Sequence, residues 1–247
     1  MIKFFRHIRR RLLAESRFTR YLLYAVGEIV LVVIGILIAL QINNWNEQRK
    51  LRGQEVKLLQ AFKNSLESDT ASFNAYIYEY WTIHNSIQKL QRHIKADLPY
   101  HDSLDFHFLN STAYWSPRID QAVFATVTST DLNLIRNDSL KKSIVSYYTF
   151  AKSDFDMKIA KYSSIIDHAS RDVFSTRFDQ LWNVNDRAMI VHDYEALKKD
   201  KEYNYFLNSL NQQIYWLVEW PLETGEKKAE ELIQFIESEL GEIENRQ

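Results

Sequence analysis

Twenty-two consecutive residues, Tyr21 to Ile42 (YLLYAVGEIVLVVIGILIALQI), hold one charge, Glu28, and an unbroken non-polar run from Ile29 to Leu40. A helix of about 20 such residues matches the roughly 30 Å hydrocarbon core of a bilayer. The segment therefore predicts a transmembrane helix over 21–42. Every other part of the chain has to be placed relative to that span.

Lysine and arginine set the orientation. Residues 1–20 carry Lys3, Arg6, Arg9, Arg10, Arg11, Arg17 and Arg20 against Glu15 alone. The other flank mixes Arg49, Lys50, Arg52 and Lys57 with Glu47 and Glu55. Basic residues gather on the cytoplasmic side, and Tyr21, Tyr24 and Trp45 fall where interfacial aromatic belts form. This bias predicts a cytoplasmic N-terminus and a C-terminal domain on the outer side. The apolar run exceeds the ~7–15 residues of a secretory signal, and Gln41-Ile42-Asn43-Asn44 offers no small-x-small cleavage site. An uncleaved signal anchor is expected, in preference to a cleaved leader or a buried core helix. Met1, Phe4, Phe5, Ile8 and Leu12 recur at helical spacing, so the arm at 1–20 reads as a basic amphipathic helix lying on an anionic leaflet. A plain orienting charge cluster accounts for the same residues. Twenty tethered residues without a binding fold do not suggest nucleic-acid recognition.

Over Arg20 to Lys50, RYLLYAVGEIVLVVIGILIALQINNWNEQRK, the chain resembles a family of uncharacterised single-span membrane proteins from Bacteroidota-type bacteria. The family's pattern is a basic start, this membrane span, an Asn-Asn-Trp-Asn exit and a helical C-terminal region. Ser129 to Tyr148, STDLNLIRNDSLKKSIVSYY, is similar to its second recognisable block. The resemblance implies a bacterial membrane location. It implies no activity, substrate or site residue, because the family's function is unknown.

Residues 43–247 suffice for one sizeable domain. Residues 1–42 hold 7 of the 31 basic and 2 of the 32 acidic residues, so the remainder carries 24 and 30, a formal charge of about −6. That balance argues against a polyanionic partner. There is no cysteine, which excludes disulfides, thiolate catalysis and cysteine zinc sites. No glycine occurs between Gly53 and Gly225 and no proline between Pro117 and Pro221. Turn-rich β folds need that punctuation, and long helices exclude it. Leu59, Phe62, Leu66, Phe73, Ile77, Tyr80, Ile87, Leu90 and Ile94 keep helical steps, as do Leu140, Ile144, Tyr148, Ala151, Phe155, Ile159, Tyr162, Ile166, Ala169 and Val173. Each set is an apolar stripe down one helix face. At 1.5 Å per residue each rod is roughly 50–60 Å long. Asn137, Asp138 and Ser139 supply cap oxygens for the second rod. A third helix is expected over about 201–220, with Phe206, Leu210, Ile214 and Leu217 inward. Pro221 should kink or restart it, and Ala229, Leu232, Ile236 and Leu240 mark a final helix. A short helix near Ile119 to Thr128 and loops at Pro99 and Pro117 complete the reading. The fold class is mainly α: one N-terminal transmembrane helix, then an elongated bundle of long amphipathic helices, packed within the chain or across protomers. Span and first rod read as one nearly continuous helix with Gly53 as a weak point.

Few residues carry chemistry. Glu28 lies about seven residues into the span, where an ionisable group is a functional candidate. With Leu31, Gly35 and Ala39 it forms one face, and Gly35-Ile-Leu-Ile-Ala39 is a small-xxx-small pattern that permits close helix contact. Glu28, Leu31, Gly35 and Ala39 are the candidate transmembrane interface; a tolerated interfacial glutamate is the plainer alternative. His101, Asp102, Asp105 and His107 are the densest potential ligands, yet their spacing matches no standard metal site and they read as a solvated loop. His84 and His93 share no clean face. Trp81, Trp115, Trp182, Trp216 and Trp220 fill the core, cover helix ends or, less simply, line a cleft. The acid-rich stretch Glu226 to Glu244 reads as a solvated face. No G-x-S-x-G, H-E-x-x-H, P-loop or G-x-G-x-x-G occurs, so no catalytic, cofactor or metal residue is assigned. The expected protein has a cytoplasmic arm (1–20), a span (21–42) and a periplasmic helical domain (43–247). It is a non-enzymatic interaction or scaffold module of the inner membrane that meets the bilayer and either itself or another envelope protein. The alternative is a sensor-like ligand-binding domain that signals through a partner.

Overall fold

Hydrophobic periodicity sets most of the observed elements. The computed structural model describes residues 18–115, 119–179 and 188–245. Its α-helices in chain order are α1 (Phe18–Lys95), α2 (Ser103–Ser111), α3 (Ala122–Thr126), α4 (Ser129–Leu132), α5 (Asp138–Ser146), α6 (Lys152–Asp172), α7 (Tyr194–Lys199), α8 (Lys201–Ile214) and α9 (Trp220–Asn245). Two π-helical turns, Tyr147–Ala151 and Tyr215–Glu219, join α5 to α6 and α8 to α9. The described β structure is a single antiparallel bridge, Phe178 to Val191. The chain is thus mainly helical. It divides into two compact units, Met1–Glu55 and Val56–Gln247, with α1 supplying residues to both. The basic arm, except for the helical residues 18–20, Pro117 and Trp182 lie outside the described residues.

In the first unit, α1 carries fifteen large apolar side chains between Leu22 and Ile42, each at least 46% exposed. Further along, Arg49 stands over the Trp45 ring at 5.9 Å, and Arg52 Nη1 bonds Glu55 Oε2 at 2.7 Å. Helical backbone continues through Gly53. Only the helix itself is needed there, so a glycine weakens it without ending it.

In the second unit the predicted stripes meet in two apolar clusters. Phe73, Tyr80, Ile87 and Leu90 of α1 join Phe155, Tyr162 and Ile166 of α6 and Leu207, Leu210 and Ile214 of α8. Leu59, Phe62 and Leu66 join Leu140 and Ile144 of α5 and Ala229, Leu232 and Ile236 of α9. Leu59, Phe62 and Leu66 have no exposed surface, and full burial of such a side chain contributes about 1.5–3 kcal/mol. Asn137 caps α5 as expected, accepting from the Ser139 and Leu140 amides. The C-terminus of α1 closes differently from a glycine cap. Asp97 takes φ 49°, Leu98 N–H reaches His93 O at 3.2 Å and Asp97 N–H reaches Ile94 O at 3.1 Å. That is a Schellman closure with aspartate in the left-handed position.

One expectation changes and two gain a mechanism. The run His101 to His107 is not a loop: from Ser103 on it is α2, because Leu104 and Phe108 bury one turn apart. Pro221 does restart the helix, and the π turn is the device. Trp220 N–H bonds Tyr215 O, five residues back, and the widened turn makes room for the proline ring. The other π turn inserts one residue into the second stripe. Consecutive Tyr147 and Tyr148, at the start of that turn, are both buried.

Candidate functional site

The face Glu28, Leu31, Gly35 and Ala39 lies on α1 at spacings of three, four and four, and all four residues are exposed. A Cβ built on Gly35 would meet nothing within 4 Å. The geometry is that of a helix face open to close approach by another helix.

The four potential metal ligands after Pro99 do not converge. His101 Nδ1 contacts Ser103 Oγ at 3.0 Å, Asp105 accepts the Tyr100 hydroxyl at 2.8 Å, and His107 Nδ1 contacts Ser86 Oγ at 3.0 Å. Among the described residues no three of His, Asp and Glu gather as a metal site. Ser86 Oγ also accepts from Asn110 Nδ2 at 3.0 Å, so the Ser86–His107 contact ties α2 to α1. His93 is occupied by the Pro99 carbonyl at 2.8 Å.

The chemistry-bearing groups that the structure does assemble lie within the domain. Asp69 is 1% exposed. Its Oδ1 accepts the Asp120 amide at 2.5 Å and its Oδ2 accepts the Tyr147 hydroxyl at 2.9 Å. Both donors are neutral. Burial therefore dominates and pushes the Asp69 carboxyl up to about 6, with the two hydrogen bonds opposing. Ser65 extends the network: its Oγ donates to Asp120 O at 3.0 Å and accepts from Tyr148 at 3.2 Å. Phe124 stacks on Tyr148 with ring centroids 5.0 Å apart. Asp69 was legible in principle. It occupies the apolar phase of α1 between Leu66 and Phe73, and a carboxylate in a buried phase marks an internal polar site.

A second network joins α1 to the π turn at Tyr215–Glu219. His84 Nδ1 contacts Glu219 Oε1 at 2.7 Å and its Nε2 contacts Asn211 Oδ1 at 3.0 Å. The Glu219 hydrogen bond raises the His84 pKa against the opposing effect of burial. Next to it, the Tyr80 hydroxyl donates to Trp115 O at 2.5 Å and accepts the Trp115 amide at 2.8 Å. The tryptophans are not core residues: the five that are described, Trp45, Trp81, Trp115, Trp216 and Trp220, are 42–63% exposed. Trp216 and Trp220 lie 6.4 Å apart, and Lys158 Nζ sits 4.7 Å over the Trp220 ring.

A family model described as a family of unknown function, DUF6090, matches residues 28–149. The chain is similar to that family from Glu28 through the first π turn's opening residues, an interval that holds Asp69, Asp120 and Tyr147. No curated protein and no solved structure matches the chain.

Proposed function

We propose that this chain is a single-pass protein of a bacterial inner membrane, with its N-terminus in the cytoplasm and its helical domain in the periplasm, acting as a non-enzymatic interaction or scaffold module. The observation that carries the reading is the bare apolar surface of α1. Fifteen large apolar side chains from Leu22 to Ile42 stand exposed. At about 1.5–3 kcal/mol each for full burial, leaving them in water forgoes tens of kcal/mol. A bilayer covers such a surface at helical length. The basic residues on the N-terminal side supply the orientation.

Association runs through the face of Glu28, Leu31, Gly35 and Ala39, either with a second copy or with another envelope protein. Photo-crosslinkers placed at Leu31, Gly35 and Ala39 in native membranes should give discrete adducts. The same group at Val33 or Leu37, on the opposite side of the helix, should give few. Equal yields all round, or none with working controls, would remove the interface. A second reading, a ligand-responsive domain, is favoured by one observation: a cleft between Phe73, Phe155 and Trp220.

A further inference from the structure

Both π turns of the described structure adjoin one cleft. A slot of about 80 Å³ is walled by Phe73, Phe155, Trp220, Pro221 and Gly225. The first turn contributes Tyr147 to it, and the second hands the chain over to Trp220 and Pro221. Tyr147, Asp154 and Lys228 line both the slot and a wider groove of about 660 Å³, which adds Lys142, Ser143 and Ser146. The slot therefore opens off the groove. Wide π turns are frequent at functional sites.

Gly225 fixes where the Phe73 wall of the slot stands. It lies inside α9 without a positive φ, where glycine is the least favourable helix residue after proline. A Cβ there would stand 2.9 Å from Phe73 Cζ. The glycine lets the ring lie against the backbone.

Charge defines the occupant. Asp154 is bound by Lys158 at 2.7 Å, and Glu231 faces Lys227 at 4.0 Å. Asp138, next to Lys142 electrostatically, is bound by Lys141 at 2.9 Å. Lys142 and Lys228 form no ion pair within 4 Å among the described residues. The groove thus offers two ammonium groups outside any such ion pair, of which Lys142 also feels Asp138, with the Ser143 and Ser146 hydroxyls nearby, at the mouth of an apolar slot. Volume narrows the class further. An apolar cavity of about 150 Å³ accepts benzene, and the slot is about half that size, so it takes a short alkyl chain and not a ring.

We propose that this cleft binds a short aliphatic carboxylate, with its alkyl chain in the slot between Phe73, Phe155 and Trp220 and its carboxylate at the mouth against Lys228, with Lys142 completing the positive rim. The proposal goes beyond the membrane reading and does not depend on it.

The test is titration of the full chain in nanodiscs with valerate, followed by calorimetry. The neutral isostere valeramide and the ring acid benzoate serve as comparisons. Valerate should bind saturably, and both comparison compounds should bind about tenfold more weakly or worse, given the strength of charge-assisted hydrogen bonds and the slot's volume. Lys228→Gln and Gly225→Ala should each weaken valerate by about tenfold or more. If Gly225→Ala does not fold, the surface variant Lys228→Gln decides alone. Absence of saturable valerate binding would overturn the proposal. Equal affinity for valeramide, or binding unchanged in Lys228→Gln, would also overturn it.

Discussion

Replacing Asp69 with asparagine should make the domain more stable at neutral pH and remove a defined part of its pH dependence. The carboxyl's ordinary value is 3.8, and burial raises it to about 6 in the folded chain. The folded state therefore holds the proton more tightly than the unfolded state. The stabilisation from the protonated acid is fully present below 3.8 and is lost as pH rises through about 6. At about 1.4 kcal/mol per unit this amounts to roughly 3 kcal/mol. Asp69→Asn keeps an oxygen for the Asp120 amide, and the Tyr147 hydroxyl can turn to accept from the new NH₂. Some of the gain is lost in that exchange, leaving about 1–3 kcal/mol at pH 8. For a domain of this size each kcal/mol moves Tm by about 2–4 °C. Thermal melts of the detergent-solubilised full chain, followed by near-UV circular dichroism from pH 3.5 to 8, measure this. The two melting curves should converge at the acid end and separate by several degrees at pH 8, with the variant higher. A variant less stable than the parent at pH 8, or a separation that does not change with pH, would refute the argument from burial.

Four further variants test the polar groups of the domain. Tyr80→Phe removes two hydrogen bonds to Trp115 and should cost about 1–3 kcal/mol; Tyr162→Phe, whose hydroxyl is buried with no hydrogen-bond partner among the described residues, should be neutral or stabilising in the same melts. The raised pKa of His84 means that its contribution is complete below 6.5 and fades as pH rises through the folded value; His84→Gln should therefore lower Tm at pH 6 and leave it nearly unchanged at pH 9. Arg177 donates to Asp200 at 2.7 Å, to the Val173 carbonyl at 2.8 Å and to Glu202, and it holds the Asp200 carboxyl below its usual range. Arg177→Ala should cost about 1–3 kcal/mol above pH 4, and the difference should shrink in acid as Asp200 protonates.

The long elements were legible because their apolar residues repeat at the helical period. Leu59 to Ile94 and Leu140 to Val173 became buried faces, and the Asn137 cap formed as its side chain predicts. What was not legible has local physical causes. A π turn changes the phase of a stripe by one residue, and nothing in the residue types Tyr147 to Ala151 announces that change. Asp97 fills a left-handed cap position that glycine usually marks, so the end of α1 lacked its usual sign. The polarity of His101, Asp102, Asp105 and His107 masked the pair Leu104 and Phe108, which makes α2 a helix. The described tryptophans took the exposed alternative to the core. Of the assembled polar groups, only Asp69 had a readable sign, its place in an apolar phase; the His84–Glu219 pair joins residues 135 positions apart, beyond the reach of periodicity.

Membrane insertion and its orientation can be read in one experiment, because the chain has no native cysteine. Single cysteines at Ser16, Leu37 and the exposed Ser153 would be treated with a membrane-impermeant maleimide in intact spheroplasts, then after lysis, then in denaturant. The account predicts labelling of Ser153→Cys in intact spheroplasts, of Ser16→Cys only after lysis, and of Leu37→Cys only in denaturant. Free labelling of Leu37→Cys in intact or lysed cells would contradict a membrane-buried span, and labelling of Ser16→Cys before Ser153→Cys would reverse the orientation.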